Sequence, residues 1–346
     1  MSRYGATYRT FSRVDRARPA VYVASRDAST TIIWSSAAPA RACRPRLMRR
    51  PVIRADARVA LVAPAGPLDG EKDLERAKEN VRSLGWVPVV GANVLARVGY
   101  LAGDDGARLA DLNNALVDDA IDAVWCIRGG FGVMRILETI DYAALRRRPK
   151  PVIGYSDITA LHAAISTRCD TITFHGPTAR AKLSVFSRES LWRALAAGDP
   201  AGPAEQARTL VPGRARGRVV GGNLAILCGL AGTPYAPDYR DAILVVEDVN
   251  EAVYRIDRML TQLRLSGALA ACAGIIFGQF TDIPRDTPEE ALGARTLDDV
   301  LGETASALGV PCIAGAPVGH VADQWTLPLG AQAELDADTR ALRILE

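Results

Sequence analysis

From Val59 onward, short apolar runs alternate with segments whose apolar residues recur every three to four positions, and this alternation limits the fold more than any other feature. A strand that is apolar on both faces must be covered on both faces, and helical crossovers between parallel strands do this. The runs are Val59–Gly66 (VALVAPAG), Trp86–Gly91 (WVPVVG), Ala123–Gly130 (AVWCIRGG) and Pro151–Ser156 (PVIGYS). Helices are expected between and after them at Leu68–Leu84, Asp104–Asp118, Val133–Ile140 and Asp157–Ser166. In the first of these, Leu74, Ala77, Val81 and Leu84 share one face. The sequence therefore predicts an α/β protein whose N-terminal part is a parallel sheet flanked by helices.

The 346 residues exceed what one core usually holds, about 250 to 300. Around Ala201–Arg216 the pattern lapses into Pro, Gly, Ala and Arg, the composition of a linker. Beyond it come helices at Asn223–Leu230, Ala252–Leu263 and Leu297–Leu308. Strands are expected at Ala242–Asp248, Ala273–Phe280 and Pro311–Gly319. Short strands near Trp325–Pro328 and Gln332–Leu335 precede a last one at Ala341–Leu345. This reads as a second, mixed α/β unit. The expected division is 56–180 for a nucleophile domain, 181–216 for a linker and 217–346 for a C-terminal domain.

The first fifty residues differ from the rest. They hold 11 Arg against Asp15 and Asp27, a net of +9, so the remainder carries −6 of the total +3. Without helical periodicity they read as an extension, 1–50, outside the working fold; a start codon placed ahead of Met48 or a targeting segment would both give this picture. The acidic body argues against nucleic-acid binding. No window nears the roughly 18 apolar residues of a membrane span. Six cysteines stand singly, without CxxC spacing, which fits a reducing cytoplasm and no zinc or disulfide framework.

The strongest chemical signal is Ser156, where a buried strand stops and a helix starts. Ligands gather at such strand ends, and the helix dipole there favours negative charge. Gly154 two residues upstream resembles half of a nucleophile elbow, but Ile158 stands where GxSxG would need its second glycine. A plainer alternative is that Ser156 or Asp157 caps the helix. The neighbouring loop Arg128-Gly129-Gly130-Phe131-Gly132 can bring backbone amides to the same sheet edge. An amide of this loop, joined by the Asp157 amide just after the serine, could bind an oxyanion. The same glycines are too clustered for a GxGxxG phosphate loop, so no nucleotide cofactor is expected.

A serine nucleophile needs a base. His162 lies more than a helical turn past Ser156, His175 closes a strand in TFHGP and remains an alternative, and His320 follows a strand in a polar loop, the best position of the three. Glu247 ends the buried run Ile243–Val246 and must be either functional or paired; Asp248 and Asp257 are its rivals as the orienting acid. The expected catalytic set is Ser156, Glu247 and His320.

Taken together, VALVAPAGP, the RGGFG loop, PKPVIGYSDITALH, TFHGP, GGNLAIL with AGTPY, ILVVEDVNEAVYRIDRML and GAPVGH ahead of LPLG resemble the LD-carboxypeptidase family of serine peptidases, over nearly all of Val59–Glu346. The resemblance implies a Ser-Glu-His triad on Ser156, Glu247 and His320, with the amides of Gly130 and Asp157 holding the oxyanion. It also implies a class I amidotransferase-like first domain, a swivelling second domain, a homodimer and no metal. The implied reaction is release of terminal D-Ala from murein tetrapeptides in the cytoplasm, on a peptide or muropeptide substrate. The related microcin C immunity peptidases, which cleave aminoacyl-sulfamoyl or phosphoramidate nucleotides, supply the alternative. They need an aromatic platform for the base, and the loop 178–188 offers only Phe186. Arg128, Asn223 and Arg255 are candidate substrate-binding residues, with Arg180 and Arg258 as further cations.

Overall fold

The computed structural model describes residues 51–196, 199, 201–284 and 295–345, which lie within one compact unit, Leu47–Glu346. The expectation for residues 1–50 falls outside the described residues.

The first half supplies β1 (Arg58–Val62), α1 (Glu71–Ser83), β2 (Val87–Val90), α2 (Asp105–Val117), β3 (Ala123–Cys126), α3 (Tyr142–Arg147), β4 (Val152–Gly154), α4 (Thr159–Cys169), β5 (Thr173–His175) and α5 (Val185–Leu195). The second supplies β6 (Arg208–Val211), β7 (Arg214–Asn223), α6 (Leu224–Leu230), β8 (Ala242–Val249), α7 (Val253–Leu265), β9 (Gly274–Thr281), α8 (Leu297–Leu308), β10 (Cys312–Ala314), β11 (Leu327–Leu329), β12 (Gln332–Asp336) and β13 (Ala341–Ile344).

Two sheets result. The first has the order β11-β5-β4-β3-β1-β2, with β1 to β5 mutually parallel and β11 antiparallel at the edge. Alternate strand residues serve opposite faces, as a period of two requires. Ala60, Val62 and Val124 pack with Leu112 and Leu161 of α2 and α4, whereas Val59, Leu61 and Trp125 pack with Leu74, Val81 and Leu191 of α1 and α5. The second sheet, β13-β12-β7-β8-β9-β10-β6, is parallel at its centre and antiparallel at both edges. One face is covered by α6, α7 and α8, the other by the segment around Ala316–Leu329. The α/β architecture with a mixed second sheet is as the sequence predicts.

Three local expectations need correction. The stretch read as a linker, 181–216, holds α5, β6 and the start of β7. In β7 the arginines 214 and 216 point outward to Asp336 and Glu334 of β12, and small residues point inward, so no apolar run announces the strand. The helix expected at Val133–Ile140 is instead a pair of 3-10 turns, Val133–Arg135 and Leu137–Thr139. There the Val133 amide is taken by the Asp157 carboxylate. Finally β11, read as part of the second unit, pairs with β5 of the first sheet, Leu327 opposite His175.

Candidate functional site

The site forms where the C-terminal ends of β3 and β4 meet the C-terminal ends of β7 and β8. Ser156 follows β4 and adopts φ +64°, the left-handed region that costs a residue with a Cβ roughly 1 to 2 kcal/mol. Such strain at the entry to a helix is a mark of functional placement. A 3-10 turn, Ser156–Ile158, leads into α4 without a side-chain cap, so the capping alternative fails. Asp157 does not cap either. Its carboxylate, 2% exposed, accepts the Val133 N–H at 2.9 Å and ties the RGGFG loop to the nucleophile turn. Burial pushes this carboxyl up to about 6, against the opposing pull of the Val133 amide and the Arg108 guanidinium.

The loop approaches closely because it lacks side chains. A Cβ on Gly129 would lie 2.9 Å from Ser156 Cβ and 3.2 Å from its Oγ. The Gly129 carbonyl accepts from Gly66 N–H, and exposed Gly130 follows with φ +116°. Asp157 sits in a first helical turn, where amides have no intrahelical acceptor. Both amides singled out from the sequence therefore lie on the two segments that flank Ser156.

Glu247, near the end of β8 and directly opposite Asn223 of β7, is fully buried. Its Oε2 is 2.9 Å from His320 Nδ1, while Oε1 has no hydrogen-bond partner among the described residues. Burial raises the carboxyl above its ordinary range, and the bond to His320 opposes that rise. The bond commits Nδ1 and leaves Nε2 for a reactant. The His320 ring packs 4.7 Å, centroid to centroid, from Tyr155, the neighbour of Ser156. The Glu247–His320 pair thus lies beside the residue that precedes Ser156, and Ser156 Oγ has no hydrogen-bond partner among the described residues.

The rivals are occupied elsewhere. Asp248 receives Asn223 Nδ2 and the amides of Ala225 and Val249; Asp257 pairs with Arg295. His162 bonds the Gly154 carbonyl, and His175 is buried with neither ring nitrogen partnered. Burial lowers them to about 4 and about 3, which makes both poor bases near neutral pH. Of the candidate substrate groups, Asn223 caps α6 and holds Asp248, Arg128 bonds the Pro67 carbonyl and Asp69, and Arg255 is an exposed partner of Tyr254 and Glu251. Sequence reasoning missed Thr159, whose Oγ1 accepts the Asn223 N–H at 2.9 Å and so joins the two sheets three residues past the nucleophile.

Two cavities flank His320. One of about 280 Å³ is lined by His320 itself with Tyr155, Lys182, Ser187 and Gln324; another of about 580 Å³ lies beyond Val321, lined by Phe186, Glu205, Gln279 and Asp323 among others. Among the described residues no group of His, Cys, Asp or Glu is placed to hold a metal ion, and no helix is long and apolar enough to cross a membrane.

Comparison with known proteins places these features in context. The model of the LD-carboxypeptidase N-terminal domain matches residues 59–176, and that of the LD-carboxypeptidase C-terminal domain matches residues 216–335. A Streptomyces coelicolor chain carrying a carboxypeptidase name is 41% identical, over 86% of this chain and 96% of its own. The murein tetrapeptide carboxypeptidase of Pseudomonas aeruginosa is 36% identical over 82% of this chain and 94% of its own. Among solved structures, the muramoyltetrapeptide carboxypeptidase from Oxalobacter formigenes superposes with a TM-score of 0.74 at 28% identity, over 83% of this chain and 98% of that one. The microcin C7 self immunity protein MccF, at 24% identity and a TM-score of 0.77 over 87% and 99%, shares the fold.

Proposed function

Since the chain belongs to the LD-carboxypeptidase family, we propose that Ser156, Glu247 and His320 are its catalytic triad, acting on the bond between an L-configured centre and a terminal D-residue. The protein is a serine-type carboxypeptidase of murein tetrapeptides. The observation that carries the assignment of roles is the buried Glu247–His320 pair, 2.9 Å long, set against the residue next to Ser156.

In this mechanism His320 takes the Ser156 proton as Oγ attacks the carbonyl. The amides of Gly130 and Asp157 receive the oxyanion, and each such donor is typically worth about 10²- to 10³-fold in rate. His320 then protonates the departing amine, and water clears the acyl-enzyme. Glu247 gains from this sequence. A buried carboxylate with one unpartnered oxygen is costly beside a neutral imidazole and recovers part of that cost when the imidazolium forms. The triad therefore favours the charge distribution of the transition state over that of the resting enzyme.

The test is release of D-Ala from disaccharide-tetrapeptide, followed by mass spectrometry. Wild-type protein releases it and folded Ser156→Ala does not; an alanine variant as fast as wild type overturns the assignment. A second reading rests on Phe186, 40% exposed and lining the larger cavity, where a nucleobase has a ring to stack on. Cleavage of aminoacyl-sulfamoyl nucleosides in preference to the tetrapeptide would favour it. Cytoplasmic action and a homodimer belong to the leading reading. The first is supported by five cysteines that are free thiols among the described residues, and light scattering tests the second.

A further inference from the structure

The reading above leaves open how the enzyme recognises that the residue it removes is terminal. A free carboxylate is the only group that distinguishes a last residue from an internal one, and selecting for it takes a positive charge at the leaving-group side. Since the base returns its proton to the departing amine, that side is the space lined by the imidazole. In this structure it is the cavity of about 280 Å³ that His320 and Tyr155 both line.

The arginines near the nucleophile are already committed. Arg128 and Arg180 both hold Asp69, Arg180 also holds Asp73, and Asp69 is drawn below the ordinary carboxylate range by them. Lys182 differs in each respect. Among the described residues it is the only Lys or Arg lining the cavity, it is exposed, and no ion-pair or hydrogen-bond partner reaches its side chain. Its backbone is nevertheless fixed. The Arg180 and Ala181 amides bond the carbonyls of Ile127 and Thr178, and a few residues on Ser187 Oγ donates to the Ala322 carbonyl at 2.7 Å while accepting the Gln324 N–H at 2.8 Å. The lysine is thereby held in register with the loop that carries the base. A second observation also points to a ligand. Gln324, 4% exposed, lines the same cavity with its Oε1 unpartnered, an acceptor suited to the N–H of a departing amino acid.

We propose that Lys182 binds the free α-carboxylate of the leaving residue and so makes the enzyme an exopeptidase. This inference rests on the carboxypeptidase reading. It is tested with two tetrapeptides that differ only at the C terminus, one a carboxylate and one a carboxamide, on wild type, Lys182→Met and Lys182→Arg. A charge-assisted hydrogen bond of the usual strength corresponds to about 10- to 100-fold in kcat/KM. Wild type is expected to prefer the carboxylate by that factor. Lys182→Met should lose the preference mainly through KM and cleave the carboxamide at the wild-type rate, and Lys182→Arg should keep most of it. A methionine variant with undiminished preference overturns the role of Lys182 while the peptidase reading stands. A wild-type enzyme that cleaves neither peptide removes that reading and this inference together. Because Lys182 is exposed, the variants should melt with the wild type, and this is checked alongside.

Discussion

Asp157 offers the clearest quantitative test because one buried group there joins stability, loop order and pH. Its carboxyl is 2% exposed and is raised from the ordinary 3.8 to about 6, chiefly by burial. At about 1.4 kcal/mol per tenfold change in proton affinity, that difference is an ionisation penalty of about 3 kcal/mol. Asp157→Asn removes the charge and keeps an oxygen to accept the Val133 amide. The sign follows from the raised value. Above about pH 6 the wild type carries the whole penalty. Between about 6 and 4 the folded protein takes up a proton that the unfolded chain does not, so the penalty fades; below about 4 none is left. The asparagine variant is therefore expected to be more stable at pH 8 by up to about 3 kcal/mol, or roughly 4 to 5 °C in Tm for a chain of this size, and to match wild type near pH 4. Paired thermal melts at half-unit pH steps measure the gap directly. A gap that does not change between pH 8 and 5, or a variant less stable at pH 8, refutes the argument that burial outweighs the Val133 and Arg108 contacts. The same variant has a kinetic use. A wild-type acid limb in kcat/KM near pH 6 that disappears in Asp157→Asn belongs to Asp157.

Two further outcomes follow from the nucleophile turn. With φ +64° at position 156, Ser156→Gly relieves strain that Ser156→Ala retains, partly offset by the greater freedom of glycine in the unfolded chain. Both should lack activity, yet the glycine variant should unfold in urea at about 1 kcal/mol higher stability; the reverse order would show that position 156 is unstrained. At Gly129 an added methyl meets Ser156 Cβ at 2.9 Å and the Tyr155 carbonyl at 3.2 Å. Gly129→Ala is expected to cost about 1 to 3 kcal/mol in stability and about 10²-fold in kcat/KM by displacing the hydroxyl, and wild-type kinetics in this variant would show that the approach is not needed.

The parallel sheet and the Glu247–His320 pair were legible because each rests on a strong local signal: apolar strands, an acid closing a buried run and a histidine in the polar loop after a strand. Helix α8 is legible to the residue, since Thr296 and Asp299 form a capping box at one end and Gly309 turns left-handed at the other. The first half of strand β7 was not, because its inward positions are Ala215 and Gly217 and its outward Arg214 and Arg216 find partners on β12. The 3-10 turns after Gly132 were hidden for a similar reason. The Asp157 carboxylate that takes the Val133 amide there lies 24 residues away in sequence. Thr159 and Lys182 carry no pattern at all; each matters only through what the fold sets beside it.

The division of the proposed triad between two sheets raises the question of what holds Ser156 and His320 in register across 164 residues. Two contacts answer it. At the start of α4, Thr159 Oγ1 accepts the Asn223 amide, and a Cβ on Gly222 would meet that oxygen at 2.4 Å, so the end of β7 can dock there only without a side chain. The end of β7 in turn places Asn223 opposite Glu247. On the other side, the chain leaving β10 of the second sheet passes through His320 and within seven residues enters β11 of the first, where Leu327 faces His175. Along the way the Gln324 and Thr326 amides bond Ser187 and Ser190 of α5. His320, the proposed base, therefore sits on the crossover that stitches the sheets together, anchored at both ends, while its Glu247 partner is fixed on β8 beside the strand that abuts α4. On the proposed roles either sheet alone would present half of the chemistry, and the residues that join the sheets are glycines and small hydroxyls.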